Sequence, residues 1–271
     1  MKHVLLMTAL LGVTAVSHAQ YAADNASNAP YAVGQEYIQV GTPAGDQTAA
    51  TNGMNGGYGF NAWQRGGYGT APNNGTTLIT NLNPSFNMGS QQFGLRSGPG
   101  GVAGADARRR LLNDLPVNST LSFSLMAGGN GAGALNTQGE FGAEIRTSSL
   151  SNPGRDILGI YGSNGNTWKF WDGVGTHDSG LACTPGQRMD VSILTTGLGL
   201  FNVTFTPFGG SSTTLNAVSD TANGKIRTVQ FYTFATNGDY YVNNLQAVPE
   251  PATLIGLTAG MAALIRRRKG N

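Results

Sequence analysis

Dry and wet positions alternate with period two along much of the chain. Leu121, Phe123 and Leu125 alternate with Ser122 and Ser124. Phe141, Ala143 and Ile145 alternate with Glu140, Glu144 and Arg146, and Phe201, Val203 and Phe205 with Asn202 and Thr204. Successive strand side chains point to opposite faces, so each run predicts a strand with one buried and one solvated side. Ile157–Tyr161, Met189–Leu194 and Val229–Phe234 are more continuously apolar and predict strands covered on both faces.

Turn chemistry separates these runs: Asn152-Pro153-Gly154, Asn164-Gly165-Asn166, Thr184-Pro185-Gly186, Asn223-Gly224 and Asn237-Gly238-Asp239. No window has convincing helical periodicity. Ala105–Leu115 comes nearest, and Pro116 would stop it. The spacing predicts roughly ten to thirteen strands in a sandwich. No internal repeat points to a propeller or solenoid. The expected body spans 56–247, after a flexible lead-in over 20–55 with one early strand at 37–40.

The order of these features resembles the concanavalin A-like jelly roll. The resemblance lies in Phe93-Gly94-Leu95, the Arg-rich strand near Arg108, Trp168–Trp171, and the closing Asp239–Leu245. It implies an all-β, two-sheet jelly-roll sandwich whose chain ends pair in one sheet.

Both ends read as targeting segments. Lys2 and His3 precede an apolar stretch, Val4–Val16, and Ser17-His18-Ala19 offers small residues for cleavage before Gln20. This predicts a signal peptide over 1–19. At the other end, Val248-Pro249-Glu250-Pro251 leads into an apolar run, Ala252–Ile265, and then Arg266-Arg267-Arg268-Lys269. As a helix that run is roughly 21 Å long, short of the roughly 20 residues of a comfortable span. The basic cluster after it is a stop-transfer signal that would keep the arginines in the cytoplasm and the body outside. A short transmembrane helix over 252–265 is expected.

This tail resembles the PEP-CTERM sorting signal of bacteria that secrete exopolysaccharide. The resemblance makes Pro249, Glu250 and Pro251 the recognition motif and Arg266, Arg267 and Arg268 the inner anchor, within a tail over 248–271. It implies an exosortase as partner, a transit anchor in the inner membrane, and delivery to the cell surface or extracellular matrix.

Five of the 16 basic residues and one of the 14 acidic ones lie in the end segments, which leaves the body near −2. That balance gives no footprint for nucleic acid. Arg108-Arg109-Arg110 is the one basic run in the body and is expected on a solvated strand edge or turn. Cys183 stands alone, so no internal disulfide holds the fold and its core must.

Candidate chemistry is sparse. Glu140-Phe141-Gly142-Ala143-Glu144 resembles the Glu-x-Asp-x-Glu strand of laminarinase-type glucanases, whose outer glutamates are nucleophile and general acid. A retaining mechanism needs carboxyl groups about 5–5.5 Å apart, and two glutamates on one strand face meet that in principle. Gly142 stands where that family has its Asp. Trp168-Lys169-Phe170-Trp171-Asp172 is the main aromatic cluster, with Trp171 on the face opposite Trp168 and Phe170. An aromatic ring stacks on the apolar face of a sugar while carboxylates and amides bind hydroxyls. Trp171, Asp172 and Asn243, with Asn244 beside it, are the candidate glycan contacts.

His177-Asp178 supplies neither a triad order nor a metal-type spacing. Asp24, Asp220 and Asp239 are the acids that a loop calcium ion would use, although no EF-type loop exists. Neither Gly128-Gly129-Asn130-Gly131 nor Gly98-Pro99-Gly100-Gly101 opens a helix after a strand, so no phosphate cradle is expected. The expectation is therefore an exported, non-enzymatic matrix protein without cofactor, contacting exopolysaccharide weakly. A laminarinase-type hydrolase using Glu140 and Glu144, or a structural protein with no ligand, are the alternatives.

Overall fold

The computed structural model describes residues 21–38, 53–64, 76–81, 87–96, 104–128, 140–147, 156–163, 165–219, 224–234 and 239–249. The expected signal peptide and tail helix lie outside these residues. Among the described residues no helix is long and apolar enough to cross a membrane.

The described residues form strands β1 (Ala22–Asp24), β2 (Thr76–Thr80), β3 (Gln92–Arg96), β4 (Ala105–Arg110), β5 (Ser119–Ala127), β6 (Glu140–Arg146) and β7 (Asp156–Gly162). They continue as β8 (Thr167–Trp171), β9 (Thr176–Ala182), β10 (Met189–Gly197), β11 (Leu200–Pro207), β12 (Thr213–Val218), β13 (Thr228–Phe234) and β14 (Asp239–Pro249). One sheet has eight strands in the order β12-β11-β10-β5-β14-β3-β2, with β1 also on β14; the other has six, β4-β13-β6-β7-β8-β9. The result is an all-β sandwich, antiparallel in both sheets, as the alternation requires.

Register explains the core. Met189, Val191 and Ile193 stand opposite Leu125, Phe123 and Leu121, and Val191 and Ile193 stand opposite Phe205 and Val203. A one-residue slip would turn every one of these to water, so the pattern fixes the pairing. Phe141, Ala143 and Ile145 face them from the six-stranded sheet beside Val229 and Phe231, all buried. Phe231 meets Phe123 edge-on at 5.3 Å between ring centroids, joining the two sheets.

Residues 21–38 differ from the flexible lead-in expected over 20–55. β1 pairs with β14 in the register Ala22↔Ala247, and Ala22, Ala26, Tyr31 and Tyr37 are buried. Of the strand expected over 37–40, Ile38 forms only an isolated bridge to Gly53, and 39–40 lie outside the described residues. Small residues in this stretch disguised it, because Ala22 and Ala26 are buried without giving the run of large apolar side chains that marks a core strand.

The arginine run is also a correction. Arg109 is fully buried and Arg108 nearly so. Arg109 donates to Asp24 Oδ2 from Nε at 2.8 Å, to Gly56 O from Nη2 at 2.6 Å, and to Asn61 O from Nη1. Its guanidinium also lies over the rings of Phe60 and Trp63, at 5.4 and 5.3 Å. A buried cation with these partners needs no solvent.

Candidate functional site

The outer face of the eight-stranded sheet carries a polar groove of about 780 Å³. Its floor consists of the wet positions of neighbouring strands: Thr206 on β11, Asp190 and Ser192 on β10, Ser122 and Ser124 on β5. These side chains are short, so the sheet surface is sunken where Lys or Glu would have filled it.

A bulge in β14 completes the floor. Asn243 pairs with Ser124 but Gln246 with Ser122, so one extra residue is accommodated between them. Asn244 sits there with φ 54° and reaches the groove. Asn tolerates this left-handed backbone better than most side chains.

The groove's polar atoms form one connected chain. Asn25 donates to Asn244 Oδ1 at 2.8 Å, and Asn244 donates to Ser124 Oγ at 3.1 Å. Ser124 donates to Asp190 Oδ1 at 2.6 Å. Arg188 donates to Asp190 Oδ2 from Nη2 at 2.6 Å and Nε at 3.1 Å. The guanidinium rests on Phe208, 4.8 Å from its ring centroid. The Asp190 charge is thereby balanced within the groove. Tyr58 stands at the opposite rim, half exposed. Its backbone forms an isolated bridge with Ala23, Tyr58 N donating to Ala23 O at 2.9 Å.

The residues singled out in the sequence lie elsewhere. Trp171 is on the outer face of the six-stranded sheet, and its indole packs so tightly on Gly159 that a Cβ there would stand 2.0 Å from Nε1. Asp172 follows it and closes the β8–β9 turn, accepting from Val174 N at 2.8 Å, Gly175 N at 3.1 Å and Val218 N at 2.9 Å. Burial pushes the Asp172 carboxyl up, but these amides and His177 outweigh it and hold it below the usual carboxylate range. Asn243 is on the other sheet and fully buried. It accepts from Ala26 N at 3.0 Å and donates to Met88 O and Gln91 O at 2.6 and 2.8 Å. Trp171 and Asp172 are thus neighbours, while Asn243 is remote from both; the amide in the groove is Asn244.

His177 turns to Asp172, 3.0 Å away, and stacks on Phe170 at 4.6 Å. Asp178 instead accepts from Thr167 at 2.6 Å. Glu140 is exposed, whereas Glu144 is buried and held by Arg146 at 2.7 and 3.1 Å. A Cβ at Gly142 would stand 1.9 Å from Ile160 O, so an aspartate has no room between the two glutamates. Asp239 accepts both arms of Arg96, at 2.6 and 2.8 Å, and Asp220 is outside the described residues. Among the described residues no three His, Cys, Asp or Glu gather as a metal site.

The groove residues carry a signal in the sequence. The strand at 189–194, expected to be covered on both faces, alternates instead. Its wet positions Asp190 and Ser192, like those of the strands at 121–125 and 201–205, are mainly Ser, Thr, Asp and Asn, where a merely solvated face would carry more charge and length.

β14 runs on to Pro249, which pairs with Ser119, and from there the chain enters the apolar run and basic end. A family model described as the PEP-CTERM protein-sorting motif matches residues 247–269. The chain carries a PEP-CTERM sorting motif. It marks the protein for export through a membrane-anchored sorting intermediate. The PEP-CTERM motif thus starts inside the last strand of the sandwich.

No curated protein matches the chain in sequence. Among solved structures, the chain is similar to an endo-β-1,4-glucuronan lyase from the fungus Trichoderma reesei, with TM-score 0.45, 9% identity, and 69% of this chain and 94% of that one covered. It is also similar to the T. cruzi calreticulin globular domain, with TM-score 0.46, 9% identity and coverage of 76% and 90%. A third similar structure is the Ca2+-bound exoplasmic/lumenal domain of VIP36, with TM-score 0.40, 12% identity and coverage of 67% and 86%.

Proposed function

We propose that this is an exported, non-enzymatic surface or extracellular-matrix protein that holds polysaccharide weakly in the groove of its eight-stranded sheet. The observation that carries this reading is the chain Asn25–Asn244–Ser124–Asp190–Arg188 beside exposed Tyr58. Sugar hydroxyls need closely spaced donors and acceptors, and a sugar ring needs an aromatic face. The groove supplies both and is charge-balanced, which favours a neutral glycan over a polyanion.

The lack of room at Gly142 and the Arg146 clamp on Glu144 support the non-enzymatic reading over a laminarinase-type hydrolase. Exosortase is the proposed sorting partner, acting on Pro249, Glu250 and Pro251, with the host's exopolysaccharide as the ligand source.

Asp190→Ala and Tyr58→Ala are each expected to weaken polysaccharide binding by about tenfold, a loss of about 1.4 kcal/mol. Trp171→Ala is expected to leave it unchanged. Loss through Trp171 alone would move the site to the six-stranded sheet. The sorting step is read from the extracellular form: its mass should show a chain ending near Pro251, and an intact basic tail would contradict processing.

A further inference from the structure

We infer that the end of the sandwich from which the sorting tail emerges is a membrane-docking face, seated on the bilayer surface while the tail is in place. This rests on the sorting reading of the tail.

The register gathers one end of the molecule. Pro249 pairs with Ser119, Ser119 with Thr195, Thr195 with Phe201, and Phe201 with Ala217. The strand exit at Pro249 therefore lies level with the β10–β11 hairpin and the end of β12. The β8–β9 turn joins them through Gly173 N to Val218 O at 2.7 Å. The crossover from β4 to β5 runs across the same end, tied by Asn118 N to Thr195 O at 2.7 Å.

This end carries most of the exposed large apolar side chains among the described residues. Val174 is 73% exposed and Leu198 56%, and Leu200 and Val218 stand beside them as register partners. Leu112 and Val117 are exposed on the crossover. Tyr21 is exposed beside the strand exit, with its N donating to Ala247 O at 2.8 Å, an aromatic suited to the headgroup layer. Lys225 and Arg227, paired with Asp114, add cationic groups. At the opposite end Phe208 is covered in part by Arg188.

The occupant follows from the chain itself. Only Glu250 and Pro251 separate the strand end from the apolar run that begins at Ala252. Three residue steps span at most about 11 Å. With the tail in the membrane, this end is held against the headgroups. Apolar tips at hairpins and turns would then sink into the interface, as shallowly inserted side chains do.

The test uses the full-length chain with phosphatidylethanolamine–phosphatidylglycerol vesicles. Leu198→Cys and, as the control at the far end, Phe208→Cys are labelled with an environment-sensitive fluorophore; Cys183 is buried and stays unlabelled. Flotation reports anchoring by the tail, and label emission with quenching by brominated lipid reports docking. The expected result is flotation of both proteins, with several-fold brighter, lipid-quenched emission at position 198 and none of this at 208. Flotation with both labels in water would overturn docking and leave the tail reading standing. Absence of flotation would overturn both. A bright label at 198 that lipid does not quench, and that depends on protein concentration, would assign the face to a second copy and overturn the inference.

Discussion

Arg109 on β4 and Asp24 on β1 form a fully buried ion pair, 2.8 Å from nitrogen to oxygen, that ties the edge of the six-stranded sheet to the eight-stranded one. Tyr31 OH donates to the same Asp24 oxygen at 3.0 Å and accepts from Trp63 Nε1 at 3.0 Å and Gly56 N at 2.9 Å. This cluster makes residues 21–38 part of the domain. Removing one partner strands a buried charge. Arg109→Ala is expected to cost about 3–5 kcal/mol, read by urea denaturation, and a loss under about 1 kcal/mol would contradict the cluster's role.

The same pair has a pH signature. Burial lifts the Asp24 carboxyl to about 6, against the pull of Arg109, Tyr31 and Trp63. Among the described residues its Oδ1 is buried without a hydrogen bond, which adds to that penalty. The folded pKa lies above the unfolded one. The fold therefore takes up this proton first as pH falls, and the group's stabilising contribution is lost as pH rises through about 6. The stability margin of the wild type over Asp24→Asn should widen between neutral pH and about pH 4.5. A margin that narrows would contradict the assignment.

Gly142→Asp would restore the family-like acidic trio but not an active site. The new Cβ meets Ile160 O at 1.9 Å, so the strands must part. The expected outcome is a loss of about 3 kcal/mol and no hydrolysis of β-glucan. New reducing ends from this variant would contradict it.

Cys183 should be inert in the folded chain. Burial pushes its thiol up to about 12, and the thiolate is the reactive form. A thiol reagent at pH 8 is expected to label it only on unfolding, at the rate of global opening. Labelling in native buffer would show that this loop opens locally.

Alternation made the fold legible. Runs such as Leu121-Ser122-Phe123-Ser124-Leu125 have one dry face, and burial on that face selects one register. Turn residues placed the breaks between strands. Contacts between distant residues were not legible. Nothing near Arg109 in sequence announces Asp24, 85 positions away, so a basic run was expected at the surface. The groove was hidden for the same reason: Ser124 and Asp190 are 66 positions apart and meet only through the β5–β10 register. Asn244 needed the bulge as well, since plain alternation gives no extra residue. The tail was legible because its elements are contiguous.

The most direct measurement incubates the folded chain with the host's own exopolysaccharide and records co-sedimentation and reducing ends in the same tube, for wild type and Asp190→Ala. The account predicts that the wild type co-sediments, the variant does so about tenfold less, and reducing ends stay at background in both. New reducing ends with the wild type, or undiminished binding by Asp190→Ala, would contradict a non-enzymatic glycan site in this groove.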